Sequence, residues 1–340
     1  MNPKVSVIIP CYNEAAHVDT LVANLLEQDY PRHRMEILFA DGQSTDATRD
    51  KLTAYCARHP FMKVLDNPDK YVPQGLNACI REARGEVIIR MDAHSYYPSN
   101  YISVLTERLF SLNAENVGGV WITEPGSDTA EAKAIALATS HPVGIGNAGY
   151  RLGADEEKPV DTVPYGCFRR DLFDRIGYFD EDLIRNQDDE FNGRIIRNGG
   201  KIWLIPTVHI RYFARPSREK LSHMFYQYGY FKPLVNRKLG APATLRQFAP
   251  PILVLSAMIA LVLPFADTRL SMIPVLWVLA YFGGVLIISA SIAAREGTKY
   301  FLHLFLTFPT IHFSYGFGYL AGWLKWNLFK STSTTIKDNR

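Results

Sequence analysis

Paired-cysteine motifs are missing from this sequence. Its four cysteines, Cys11, Cys56, Cys79 and Cys167, form no CxxC pair and no zinc spacing. That excludes a zinc ribbon or a dithiol redox site and fits a reducing compartment. No excess of one charge exists either: 37 Lys and Arg stand against 34 Asp and Glu, a net charge of +3. So balanced a chain is not expected to bind nucleic acid generally. Neither GxxxxGK[ST] nor GxGxxG follows the first apolar run, so two common backbone cradles for phosphate are lacking. No charged n-region and apolar h-region precede that run, and a cleaved signal peptide is not expected. Uncharged stretches of 20 residues or more are missing before Arg246 and present after it.

What is present suggests about two domains in 340 residues, 47% of them hydrophobic. VSVIIP (5–10) is a β-branched run ended by proline and reads as a buried strand. HVDTLVANLLEQ (17–28) spaces its apolar residues as an amphipathic helix does. MEILFADG, TRDKLTAYCARH, KVLDN, PQGLNACIREARG and EVIIRMD then alternate strand and helix up to Asp92. That order predicts an α/β layer structure with a largely parallel sheet, whose ligands gather at the carboxyl ends of the strands. Polar clusters sit at three such ends: CYNE (11–14), DGQSTD (41–46) and DAH (92–94). Further on, GGVWITEP reads as a strand, TVPYGCFRRDLFDRIG (162–177) as strand then helix, and 186–206 as an acidic helix start, a Gly-rich stop and a strand.

The C-terminal third is of a different kind. No charged residue lies between Arg246 and Asp267, Arg269 and Arg295, or Lys299 and Lys325. A spanning helix needs ~20 mainly apolar residues, and the first two intervals qualify. The third carries His303, Pro309 and His312 and ends in GFGYLAG, which leaves spanning and re-entrant placements both open. Arg237, Lys238 and Arg246 before the first interval, and Lys325, Lys330, Lys337 and Arg340 in the tail, predict that both ends face the cytoplasm. Two spans plus a third segment that does not cross satisfy this. KLSHMFYQYGYFKPLVNRKLG (220–240) mixes aromatics with basic residues. It suits a helix in the headgroup region, or one packed on the first domain. The expected division is a catalytic domain over 1–215, an amphipathic interface segment over 216–246, a membrane domain over 247–325 and a basic tail over 326–340.

Asp41 could accept hydrogen bonds from a base or ribose. Asp92 with His94 could bind a divalent cation bridging a nucleoside diphosphate, Mg²⁺ or Mn²⁺, with the imidazole favouring Mn²⁺. Alone, the DAH triplet reads equally as loop polar groups. The acids Asp188, Asp189 and Glu190 read alone as a helix N-terminus offsetting the macrodipole. VSVIIPCYNE, DGQSTD, MDAH and NQDDEFNGRI, taken in this order, resemble glycosyltransferase family 2, whose members have a GT-A fold. The resemblance runs from about Val5 to Phe213. DAH, ADGQSTDAT, RNQDDEF and the apolar C-terminal region are similar to the succinoglycan-type exopolysaccharide glucosyltransferases.

The resemblance implies transfer of a hexose from a UDP-sugar with inversion at the anomeric carbon. Pro10, Tyr12, Asn13 and Glu14 match the loop that holds nucleobase and ribose, and Asp41 the acid that binds uracil. Asp92 and His94 fall on the DxD metal motif, with His94 replacing the second acid. Gln187 falls on the Glu and Asp188 on the catalytic Asp of the ED motif, with Asp189 the second choice for the base. Glu190 and Arg194 follow on that motif's later acidic and basic positions. Tyr165 and Gly166, with Cys167 and Phe168, line the acceptor side or form a core strand, and Gln187 is placed on that side too. Lys70 and Asn77 are candidates for nucleotide contact, or an exposed loop residue and a helix cap. The family's processive synthases carry QxxRW, whereas Gln227 is followed by Tyr-Gly-Tyr-Phe, so repeated extension is not expected. The expected enzyme sits on the cytoplasmic (inner) membrane with its catalytic domain in the cytosol. It glycosylates a polyprenyl-diphosphate-linked saccharide for exopolysaccharide or other surface glycan, beside other glycan-assembly enzymes. Its rivals are a polyprenyl-phosphate glycosyltransferase and a non-catalytic nucleotide-binding membrane scaffold.

Overall fold

A computed structural model describes residues 3–242 and 244–329. Most of the expected basic tail, 330–340 with Lys330, Lys337, Asp338 and Arg340, lies outside the described residues. The chain runs β1 (Val5–Cys11), α1 (Val18–Leu26), β2 (Met35–Asp41), α2 (Thr48–Arg58), β3 (Met62–Asp66), α3 (Val72–Glu82), β4 (Val87–Arg90) and α4 (Tyr101–Ser111). It continues with β5 (Asn116–Glu124), α5 (Ala130–Ala138), α6 (Pro142–Ile145), α7 (Gly149–Leu152), β6 (Lys158–Pro159), β7 (Cys167–Arg169), α8 (Asp171–Ile176) and α9 (Gln187–Arg197). β8 (Ile202–Phe213), α10 (Arg218–Leu239), α11 (Ala249–Ala266), α12 (Ile273–Glu296) and α13 (Phe301–Trp323) complete it.

Two compact units emerge, Met1–Ile122 with Gly149–Tyr212, and Thr123–Ala148 with Phe213–Arg340. In the first, the described residues form one sheet of strand order β3-β2-β1-β4-β7-β5-β8-β6. β1 pairs in parallel with β2 and β4, and β2 with β3. The expected parallel sheet therefore holds for this half. β7 runs antiparallel to both β4 and β5, and β6 antiparallel to β8, so the sheet is mixed. β1 alternates cleanly: Val5, Val7, Ile9 and Cys11 join one core with α1 and α4, while Ile8 joins the other with α3 and α9. A strand buried on both faces has no polar side to show, which is why it reads as a continuous apolar run.

The second unit takes in the segment 123–148, which the sequence reading kept inside the catalytic domain. Alanine-rich α5 places Ala134, Ile135 and Ala138 in a core with α10 and α13, among them Leu221, Phe225, Leu304 and Phe308. Two helical stretches of the described residues, Leu245–Ala266 and Thr268–Glu296, are long and apolar enough to cross a membrane. They turn Leu255, Ile259, Phe265, Leu279 and Ile287 outward, the reverse of a soluble core helix. α13 instead lies against α10 through glycines. A Cβ on Gly318 would sit 2.2 Å from the Tyr226 carbonyl oxygen, and one on Gly322 2.0 Å from that of Tyr230. Gly229 of α10 meets the Tyr315 carbonyl in the same way, at 2.1 Å. Ser222 bonds to Ser314 at 2.8 Å, and Asn236 donates to the Tyr319 hydroxyl at 3.2 Å.

Gly322→Leu is therefore expected to force the two helices apart and destabilise this unit by about 1–3 kcal/mol. Gly283→Ala, on a helix surface where nothing lies within 4 Å, should leave stability unchanged or raise it by up to about 1 kcal/mol. Thermal unfolding in detergent distinguishes the two.

Candidate active site

Register brings the polar strand ends together. Cys11 pairs with Asp41, and Asp41 with Asp66, so three loops leave the sheet at one level. The loop after β1 is stapled to the turn after β2. Asn13 N donates to Ser44 Oγ (3.0 Å), Glu14 N to Thr48 Oγ1 (2.7 Å) and Ala15 N to Asp46 Oδ2 (3.1 Å). The Asn13 amide oxygen accepts from Thr45 N at 2.8 Å. Asn13, Gln43 and Lys70 all have left-handed backbone, with φ of 53°, 58° and 68°. Tyr165 and Asn186, at 47° and 63°, share it. Such conformations cost side-chain-bearing residues roughly 1–2 kcal/mol each and gather where a site dictates the backbone. Asp41 is fully buried; its carboxylate accepts from Ser44 N and pairs with Arg49, which also holds Asp66 at 2.6 Å.

β4 ends in the second cluster. Asp92 N donates to the Tyr97 hydroxyl at 2.5 Å, and the Asp92 carboxylate accepts from Ala93 N. Burial works to raise the Asp92 pKa, but His94, Arg90 and the Tyr165 hydroxyl together hold it below the ordinary value, so it stays ionised. His94 Nδ1 lies 3.0 Å from Glu14 Oε1, and its Nε2 3.9 Å from Asp92 Oδ2. Tyr165 bonds Ser95 through its hydroxyl at 3.2 Å, and its carbonyl accepts from Tyr101 at 2.8 Å.

The third group comes from the N-terminus of α9. Asp188 forms an ion pair with Arg90, whose side chain is almost wholly buried while Asp188 keeps 34% of its side-chain surface. Burial raises the Asp188 pKa; Arg90 opposes this, and Asp189 and Asp92 add to it, leaving the acid above its usual range. Arg90 is itself held charged by Asp188 and Asp92 against the cost of its burial. Arg90 was missed in the sequence as a functional residue. Its signal was a charge closing the buried strand VIIR (87–90) after three apolar residues, a position that demands a buried partner.

Other expected residues fall variously. Gly166 is a close-packing point, since a Cβ there would sit 2.3 Å from Asn116 Oδ1, and its carbonyl accepts from Arg90 N. Tyr165 joins the polar centre beside Asp92, while Cys167 and Phe168 are core. Gln187 opens α9 and is buried. Lys70 is brought to the strand ends, its carbonyl oxygen 3.2 Å from where a Gly42 Cβ would be. Pro10 and Tyr12 lead into the stapled loop. Asn77 is not brought to the site: its amide donates to Phe179 O and Glu181 and accepts from Phe179 N, fixing α3 to the segment before α9. The buried thiols of Cys11, Cys79 and Cys167 are pushed up by burial, Cys79 to about 12, which leaves no reactive thiolate there.

A family model for glycosyl transferase family 2 matches residues 6–177. The chain belongs to this family. Succinoglycan biosynthesis protein ExoA of Rhizobium meliloti (strain 1021) is 30% identical to it over 246 residues, 72% of this chain and 73% of that protein. A Methanococcus voltae enzyme, dolichyl N-acetyl-alpha-D-glucosaminyl phosphate 3-beta-D-2,3-diacetamido-2,3-dideoxy-beta-D-glucuronosyltransferase, is 30% identical over 242 residues, 69% of this chain and 74% of its own. Among solved structures, the mannosyltransferase PcManGT from Pyrobaculum calidifontis, in complex with GDP-Man and Mn²⁺, superposes with a TM-score of 0.61 at 21% identity. It covers 97% of this chain and 88% of its own. That likeness carries the fold: a GT-A-like, mostly parallel sheet. This family 2 member is a glycosyltransferase.

GT-A glycosyltransferases commonly use a divalent metal. Among the described residues, no group of three or more His, Cys, Asp or Glu side chains is placed to cage one. Asp92 and His94 nevertheless fit a shared cation. Their 3.9 Å separation is shorter than two metal–ligand bonds of about 2.1 Å end to end. Two protein ligands leave the remaining positions to phosphate and water, as such sites usually do.

In the motif's second half, Glu190 and Arg194 serve the scaffold. Arg194 makes a two-pronged bond to buried Glu190 and donates to the carbonyls of Ile176 and Tyr178. Arg194→Met removes the two-pronged partner of that buried carboxylate and is expected to cost about 3 kcal/mol, read as a lowered urea midpoint.

Proposed function

We propose that this glycosyltransferase is a membrane-anchored, metal-dependent, inverting enzyme. It moves a hexose from a UDP-sugar to a polyprenyl-diphosphate-linked saccharide in surface-glycan assembly, with its catalytic domain in the cytosol. The observation that carries the reading is Asp188, a partly open carboxylate fixed by Arg90 within the same constellation as Asp92 and His94. Asp41 and the loop Pro10–Glu14 would bind uracil and ribose, with Lys70 beside them. Asp92 and His94 would hold Mn²⁺ or Mg²⁺, which when bound supplies positive charge to the departing diphosphate. Asp188 takes the proton from the acceptor hydroxyl on the face opposite the leaving group. Tyr165, Gly166 and Gln187 line the acceptor side. Asp189, one residue further along α9, is the second choice for the base.

Support for the acceptor class comes from the relatives, one named for succinoglycan biosynthesis and one for a dolichyl phosphate-linked sugar. An acceptor carried by lipid suits a chain with two helices long enough to cross a membrane. Support for the uridine donor is the family resemblance of Asp41, together with a likeness of TM-score 0.50, at 16% identity, to S. aureus TarS 1–349 solved with UDP. That fold match covers 94% of this chain and 90% of the other.

Asp188→Asn is expected to lower transfer by about 10²–10⁴-fold while UDP binding, followed by calorimetry, persists. Unchanged transfer would mean a nucleotide-binding scaffold, and product formed on polyprenyl phosphate itself would replace the acceptor. The pH dependence follows from the carboxyl. The base works ionised, so activity falls as pH drops through its pKa, which burial places above the usual carboxylate range. Arg90 pulls that value down. Arg90→Met therefore shifts the acid limb of the kcat profile to higher pH, and a limb that stays or moves lower contradicts Asp188 as the base.

A further inference from the structure

We propose that Glu14 is a positioning residue for the cation, acting through His94. The inference rests on the metal site proposed above. Glu14 Oε1 lies 3.0 Å from His94 Nδ1, across 80 residues of sequence. A carboxylate oxygen accepts, so Nδ1 carries the hydrogen shared with Glu14, and a cation would take the lone pair of Nε2 once that nitrogen gives up any proton of its own. That nitrogen is the one facing Asp92 Oδ2 at 3.9 Å, too far for a hydrogen bond between them. A histidine that gives its second N–H to a carboxylate is held in one tautomer and one ring orientation, and its ligating nitrogen gains basicity.

Glu14 is built to hold this place. Its backbone N–H is fixed by Thr48 Oγ1 at 2.7 Å, and Thr48 Oγ1 in turn donates to Asp46 Oδ1 at 2.5 Å. Asp46 also takes the N–H of Ala15, and Lys51 donates to the Ala15 carbonyl at 2.9 Å. Both neighbours of Glu14 are thus tied to the turn after β2, and only 17% of the Glu14 side chain is exposed. The polar ends of β1, β2 and β4 form one device: the turn holds the loop, the loop holds Glu14, and Glu14 aims His94.

The test is Mn²⁺ affinity of the purified full chain, read by electron paramagnetic resonance of free Mn²⁺ with and without UDP. Glu14→Ala should weaken Mn²⁺ about 10–100-fold. Glu14→Gln, whose amide oxygen still accepts from Nδ1, should restore part of that loss. On a His94→Ala background, Glu14→Ala should cost nothing further. ¹⁵N spectra of His94 without metal should show the Nδ1–H tautomer in the parent chain and a mixture in Glu14→Ala. Equal Mn²⁺ affinity in the parent and Glu14→Ala overturns the inference alone, as does an undiminished effect of Glu14→Ala without His94. A parent chain that binds no Mn²⁺ with UDP present overturns the metal reading itself and the inference with it.

Discussion

The ion pair between Arg90 and Asp188 is the constraint to which the rest of the site is fitted. Arg90 ends a central strand, and its guanidinium is taken out of water; Asp188 and Asp92 hold its charge against that cost. Asp188 likewise keeps a usable proton affinity only because Arg90 opposes its burial. Parting β4 from the start of α9 would strand both charges, a loss of several kcal/mol in a buried setting. The helix is fixed from its other side as well. Asn192 accepts from Asn116 at 2.8 Å and donates to Thr162 at 2.7 Å, and Arg194 clamps the segment before it. A carboxylate so anchored is held in place beside Asp92, as the proposed base of an in-line transfer would need to be.

The charges around the pair explain its neighbours. Glu14, Asp41 and Asp92 gather acid at the strand ends, where a diphosphate would only add more. The proposed cation shared by Asp92 and His94 would relieve both sets of negative charge, and imidazole in place of a second acid lowers the number of charges to be balanced. The second unit follows a different logic. Its glycine contacts between α10 and α13 bring two backbones together by removing side chains.

The fold was legible where one physical signal dominated. β1, β2 and β4 are apolar runs between turns, and α1–α3 carry regular apolar spacing, so the parallel half of the sheet followed directly. β7 was harder. Only Cys167–Arg169 is strand, and its antiparallel pairing is set by long-range partners that no local pattern records. The segment 123–148 reads as soluble because α5 is short and alanine-rich, and only its packing assigns it to the helical unit. In the site, Asp92, His94 and Asp188 came from motif order. Arg90 stood in plain view without a partner to explain it. Asn77 looked like a ligand contact, yet its amide is engaged by Phe179 and Glu181, which polarity alone does not reveal.

The account turns on a single displacement promoted by one base, and the anomeric configuration of the product tests that most directly. With a UDP-α-hexose donor and a lipid-linked diphosphate saccharide, ¹H NMR coupling at the new anomeric centre should report a β linkage. An α linkage would require a second displacement or a different face of attack, and would contradict Asp188 as the base of an inverting transfer.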